Sequence, residues 1–270
     1  MTPFFFGTGQ RRLFGIYNPA RASGGGAVRA AVLCAPWGPE YLHSHRSLRQ
    51  LAARLSLAGF HTLRFDYFGT GDSAGEVIEG DLPGWEQDIE TAIEELKDST
   101  GAKRVVLAGL RLGATLSASV AAARRQDVEA LVLWDPIVSG EIYLQSLLSS
   151  KRKPPLTKGA IPRPVEIGGG YDILGFPLSA RMAQEVKCID LAAQIHSLPP
   201  NTLILVSERL PCHDSLQHAL GDQPDPYLIF ELSPDPPMWI ERSTNAGAVP
   251  VDVLNRIVNW LYRVGCSDED

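Results

Sequence analysis

No stretch of this sequence approaches the roughly 18 to 20 consecutive apolar residues that a membrane span needs. Nor does the opening "MTPFFFGTGQRR" have the charged segment and apolar run of a secretory leader. Cysteine is scarce: the four residues Cys34, Cys188, Cys212 and Cys266 fit neither a zinc spacing nor a dense disulfide framework, so reduced thiols in a cytoplasmic protein are the expectation. Positive charge is in deficit, with 25 Lys and Arg against 31 Asp and Glu. A net charge of −6 speaks against nucleic acid as the main partner, because phosphate binding calls for a basic face. No dinucleotide fingerprint is present either: "GTGDSAG" follows a strand, but its glycines are not spaced G-x-G-x-x-G. Together these absences predict no cofactor, no metal, no membrane and no nucleic acid.

What is there is an alternation. "RAAVLCAP" is a continuous apolar run closed by proline, as a strand buried on both faces reads. "SHRSLRQLAARLSLAGF" places Leu48, Leu51, Ala52, Leu55 and Leu57 at helical spacing, with Ser44 as its expected cap and Gly59 as its stop. "HTLRFD", "AKRVVLAG" and "VEALVLWDP" read as strands, separated by the helical segments "LPGWEQDIETAIEELKDST" and "LGATLSASVAAARRQ". Short connections between alternating strands and helices predict an α/β fold: a mostly parallel sheet with helices on both faces. A hairpin over Phe4–Pro19 and a Gly/Ala linker, "RASGGGAV", precede it.

From about Ile137 to His196 the rhythm breaks. A helix, a Pro/Lys-rich loop, and a hairpin leading into a helix are expected there. Strands resume at "NTLILVSE" and "PYLIFEL", and an amphipathic helix with Val253, Leu254, Ile257, Val258 and Leu261 inward leads to a frayed "CSDED". The organisation expected is a core of residues 1–136 and 197–270 with a cap insertion over 137–196.

The chemistry gathers at "VVLAGLRLGATL". An apolar strand, a turn with Gly109 and Gly113 four apart, and a small-residue helix are the layout of a nucleophile elbow, which presents its central side chain at the edge of a sheet. That central residue is Arg111. A guanidinium with a pKa above about 12 is neither nucleophile nor base, but it is a good anion clamp.

Three blocks carry a resemblance. "LCAPWGPEYLHSHRSLRQLAARLSLAGF" looks like a strand, oxyanion loop and first helix; "LRFDYFGTGDSAG" is similar to a D-x-x-G-x-G-x-S-x-G block; "LAGLRLGA" sits at the elbow. The sequence resembles the α/β-hydrolase superfamily in its serine-aminopeptidase-like branch, together with the exosortase-associated hydrolases. The resemblance is strong from about Ala30 to Pro136 and rests on strand order in the last third. It implies a nucleophile at Arg111, and oxyanion donors on the backbone of Leu112 and of the Pro36-Trp37-Gly38 loop, represented by Trp37. The acid it implies lies at Glu208 or, one strand earlier, at Asp135. A histidine should follow the last strand, and "SPDPPMWIERSTNAGAVP" has none. Both nucleophile and base are therefore missing from their slots.

Other groups are weighed against plainer roles. The resemblance implies a structural hydroxyl at Ser73; Ser117 and Ser119 are small packing residues; Cys34 is buried in a strand and inert. Cys212 and His213 are neighbours in sequence, and neighbours rarely face each other, which counts against a Cys–His dyad. "EYLHSHR" offers Glu40, Tyr41, His43, His45 and Arg46. In the plain reading Ser44 caps the helix and His45 and Arg46 lie on its first turn; in the functional one Glu40 or His45 faces the cavity beside Arg111, with Glu40 or Asp135 as the carboxylate partner of the arginine. Three functions follow. One is an enzyme on an acyl, ester or thioester-like small molecule, free or carrier-bound, that works without a serine acyl-enzyme. Another is a lyase, cyclase or isomerase with Arg111 as anion clamp. The last is a binding or scaffold protein. The remaining histidine and acid cluster favours an enzyme, and the sequence sets no oligomeric state.

Overall fold

The computed structural model describes residues 1–21, 27–150, 164–220, 228–237, 239 and 249–264. The Gly-rich part of the N-terminal linker, most of the Pro/Lys-rich loop, residues 240–248 and the acidic C-terminus lie outside the described residues.

Eight strands form one sheet in the order β1-β2-β4-β3-β5-β6-β10-β11. β1 (Thr2–Phe6) and β2 (Leu13–Asn18) make the expected hairpin, and β2 pairs antiparallel with β4 (Phe60–Phe65). From β4 onward every pairing is parallel: β3 (Arg29–Cys34), β5 (Val105–Leu110), β6 (Val128–Trp134), β10 (Thr202–Val206) and β11 (Leu228–Leu232). This is the predicted α/β fold with its mostly parallel sheet.

The layers account for the continuous apolar runs. Along β3, Ala30, Val32 and Cys34 pack with α2 (Leu82–Thr100) and α3 (Leu112–Ala123) on one face. Ala31 and Leu33 pack with α1 (Pro39–Leu57) and α8 (Val251–Val264) on the other. Successive side chains alternate faces, so a strand covered on both sides has no polar position to spare. On α8 the inward residues are Val253, Leu254, Ile257 and Leu261, joined by Trp260, while Val258 is half-buried.

Between β6 and β10 lie α4 (Gly140–Ser149), a separate three-stranded antiparallel sheet of β7 (Val165–Ile167), β8 (Gly170–Ile173) and β9 (Phe176–Leu178), then α5 (Ala180–Lys187) and α6 (Leu191–Gln194). One strand more than the anticipated hairpin forms. Ile173, Leu178, Met182 and Val186 bury into the same apolar cluster as α2 and α3, so this segment is packed onto the core.

The start of α1 differs from the sequence expectation. The helix begins at Pro39, with Gly38 as N-cap at φ 64°. Ser44 is inside it, donating to the Tyr41 carbonyl at 3.4 Å. Proline at the first helical position is the governing signal, since its missing N–H would be unpaired there in any case. Glu40 and Tyr41 consequently ride on the first turn.

Candidate functional site

β5 ends in a sharp turn. Arg111 is the N-cap of α3 at φ 54°, ψ −122°, a conformation that side chains other than glycine rarely adopt. The two flanking glycines are dictated by contact. A Cβ on Gly113 would stand 2.3 Å from the Ala35 carbonyl oxygen, and one on Gly109 would stand 2.4 Å from the Ala114 Cα.

The Arg111 side chain is only 13 % exposed and is held at several points. Its Nε donates to Glu40 Oε1 at 3.0 Å and its Nη1 to the Asp135 carbonyl at 3.1 Å. Its guanidinium carbon lies 5.4 Å from the centre of the Tyr143 ring and 4.9 Å from that of Trp239. The second Glu40 oxygen accepts from the Tyr143 hydroxyl at 3.0 Å. Glu40 is thus the shared carboxylate of α1, tying α3 to α4. Burial by itself would lower the arginine pKa, but Glu40, then Tyr143 and Asp135, raise it above the usual value. Burial and the Glu40 charge likewise keep Tyr143 a neutral phenol. Among the described residues no protein acceptor meets Nη2.

Asp135 follows β6 at φ 47°. Its carboxylate accepts the Ser207 N–H at 2.6 Å and the Ser207 hydroxyl at 2.8 Å. Burial pushes its pKa up to about 7, although the Ser207 hydrogen bonds and Arg111 pull the other way. His213, on α7 (Pro211–Leu220), is buried, and its Nδ1 accepts the Leu210 N–H at 3.1 Å. That bond places the proton of the neutral ring on Nε2. Burial lowers the His213 pKa and Arg111 lowers it further, so the ring stays uncharged.

These groups line one cavity of about 400 Å³, at the carboxyl ends of the parallel strands. That is where open α/β sheets place ligands. Glu40, Arg111, Asp135, Glu208, Cys212 and His213 are among its polar groups; Ile137, Val138, Ile142, Leu147, Leu174 and Trp239 are among its apolar walls.

Of the residues anticipated from sequence, Glu40, Arg111 and Asp135 come together, with Glu208 and His213 beside them. His45 does not join them. Its exposed ring bonds the Leu42 carbonyl at 2.9 Å, and it borders a different pocket with Tyr41 and Asp66, because the earlier start of α1 turns it away from the elbow. His43, its neighbour two residues back, lines the cavity instead. Tyr41 donates its hydroxyl to Asp66 at 3.1 Å, outside the cavity. Leu112 is buried at the first position of α3, and Trp37 borders a separate small pocket, its ring edge-on to Phe176. Neither lines the Arg111 cavity. Ser73 is structural, donating to the Asp66 carbonyl at 2.5 Å and accepting the Phe14 N–H at 2.9 Å. Ser117 donates to the Gly113 carbonyl, Ser119 to Gln194, and burial pushes the Cys34 thiol up to about 12. Tyr143, Trp239 and Leu174 were not anticipated; nothing in the local pattern of the sequence sets them apart from ordinary packing residues.

Among the described residues no group of three His, Cys, Asp or Glu is placed to hold a metal, and no helix is long and apolar enough to cross a membrane. Comparison with known proteins agrees with the architecture of the sheet. Residues 40–160 match the family model described as serine aminopeptidase, S33. A search of the curated proteins finds no match. Among solved structures, Est1E from Butyrivibrio proteoclasticus with bound ferulic acid superposes with a TM-score of 0.70 at 17% identity, covering 97% of this chain and 99% of its own. DcsB in complex with its substrate analogue gives 0.66 at 17% identity, covering 97% and 98%. The thioesterase domain of the curacin biosynthetic pathway gives 0.56 at 16%, covering 96% and 99%. The strand order, the strained turn after β5 and these likenesses together make the chain a protein of the α/β-hydrolase fold, similar over residues 40–160 to the serine aminopeptidase S33 family.

Proposed function

We propose that the chain is an atypical enzyme of this fold. It acts on an acyl, ester or thioester-type small molecule, free or presented by a carrier protein, without forming an acyl-enzyme at the elbow. Arg111 occupies the turn position at which the resemblance calls for a nucleophile. The observation that carries the reading is the state of that side chain. It is fixed through Nε and Nη1, it lines a largely apolar cavity, and its Nη2 meets no protein acceptor among the described residues. A preorganised guanidinium of this kind suits a carboxylate or the oxyanion that develops on a carbonyl. His213, with its proton on Nε2, is a second donor and not a base. The acid–base role falls to Asp135, whose pKa near 7 lets it hold or release a proton at neutral pH and so activate water. The described part of residues 137–196 serves as the cap that closes the apolar side.

The test is turnover of an ester and acyl-thioester panel together with a serine-directed fluorophosphonate probe. Wild type turns over at least one panel member and stays unlabelled. Arg111→Ala lowers kcat/KM by about 100-fold or more, the usual cost of losing an oxyanion donor. Labelling of the wild type, or turnover unchanged in Arg111→Ala, overturns the reading. Substrate consumption without incorporation of water from labelled solvent moves the assignment to a lyase, cyclase or isomerase using the same clamp. A second reading, a binding protein without catalysis, is favoured by the closed Arg111–Glu40–Tyr143 network. Ligand binding with no turnover would select it.

A further inference from the structure

Among the described residues only three other than glycine have positive φ: Arg111 at 54°, Asp135 at 47° and Leu174 at 58°. All three line the same cavity. Strained backbone of this kind persists where surrounding structure enforces it, and it concentrates at ligand sites. The first two are accounted for by the polar groups they present. Leu174 is not.

Leu174 and Gly175 form the two-residue turn between β8 and β9, closed by the Ile173–Phe176 pair. Both have positive φ, 58° and 95°, as a type I′ hairpin turn requires. The preferred residues there are Asn-Gly or Gly-Gly, and leucine is among the poorer choices. The same small sheet supplies an internal comparison. The β7–β8 turn has the same length and sign of φ, 59° and 81°, and uses Gly168 and Gly169. A Cβ on Gly168 would meet open space, so that turn presents no side chain to anything. Turn geometry therefore does not call for leucine at 174. What distinguishes the position is the cavity it lines. Its neighbours hold it there: Ile173 is fully buried in the core, and Phe176 packs edge-on against Trp37 at 6.3 Å.

We propose that Leu174 is a specificity-determining residue. Its side chain is the apolar stop that limits the length of a straight acyl chain whose anionic end is held by Arg111. The inference rests on the reading of this cavity as an acyl site. The ligand class it implies is a carboxylate, or an acyl group, with an unbranched apolar tail.

The experiment is calorimetric titration of the whole chain with straight-chain carboxylates from butanoate to dodecanoate, paired with thermal unfolding. In the wild type, Kd falls about fourfold per added methylene until the tail reaches Leu174, and then levels off. Leu174→Asn suits the turn and relieves the backbone, so Tm rises by about 2–4 °C. Short members bind it as they bind wild type, while members long enough to reach residue 174 bind about tenfold or more weakly. Leu174→Gly moves the levelling point to longer chains. Arg111→Ala weakens every member alike. Identical chain-length profiles in wild type and both Leu174 variants overturn the role of Leu174 while leaving the acyl-site reading intact; so does a Tm that falls in Leu174→Asn. Failure of every carboxylate to bind the wild type overturns the acyl-site reading, and this inference with it.

Discussion

Asp135 carries the clearest consequence at the scale of a single residue. Its carboxyl is buried, and its pKa stands at about 7, well above the value near 4 of an unfolded chain. The native state therefore holds a proton that the unfolded state has already released between these two values. Stability from this group is complete below about pH 4 and is lost as pH rises to about 7, with no further change above. Asp135→Asn cannot ionise, and its amide still accepts the Ser207 N–H and can donate to the Ser207 hydroxyl. Its Tm relative to wild type should climb from pH 4 to 7 and then level off; a constant difference across that range would show that the carboxyl is not buried in its neutral form. Arg111 and Asp135 were legible in the sequence because each stands immediately after an apolar strand. His213 was legible only as a weak candidate: the resemblance puts a base beyond the last strand, whereas the buried imidazole comes from the helix after β10. Of the two residues the functional reading offered to Arg111, Glu40 takes the place and the exposed His45 does not, and the expected Ser44 cap gives way to Gly38.

At the scale of elements, strands were read most reliably. β3, β5 and β6 are buried on both faces, and a strand covered in that way has to be apolar at nearly every position. Among helix starts, α2, α3 and α8 begin where the sequence reads them, and α1 does not, because a proline after glycine signals a loop and a first helical turn equally. The three-stranded sheet was legible only in part, its edge strand β7 being three exposed residues, too short a run to set a strand apart. The elbow is where sequence and structure agree most tightly, and its glycines are testable. Gly113 is closed in by backbone, with the Ala35 and Cys34 carbonyl oxygens at 2.3 and 2.4 Å from a built Cβ. Neither atom can rotate away. Gly113→Ala should cost about 3 kcal/mol or more in urea unfolding. Gly101→Ala is the comparison: its space is open but φ is 78°, so backbone strain alone should cost about 1–2 kcal/mol. Equal losses in the two variants would mean that the β5–α3 turn is not tightly packed against β3.

For the molecule as a whole, the sheet is covered from both sides and Cys34 lies near its middle, fully buried on β3. The exposed Cys188 offers a contrast. In a native labelling experiment read peptide by peptide, Cys188 should react promptly with iodoacetamide. Cys34 should react only through global opening, its rate rising with urea in step with unfolding. Prompt labelling of Cys34 would mean that the sheet opens locally. The candidate site is a whole-molecule property in another sense. Glu40 is 71 residues from Arg111 and 103 from Tyr143 along the chain, and the cavity is completed by His213. Glu40 and Arg111 both precede Tyr143, His213 and Trp239 in the order of synthesis, so the two members of the ion pair exist before these walls of the cavity do. The helix that carries Glu40 packs against α8, the last helix made. The site therefore depends on both ends of the chain, and a change at the C-terminal helix can reach the arginine through its carboxylate partner.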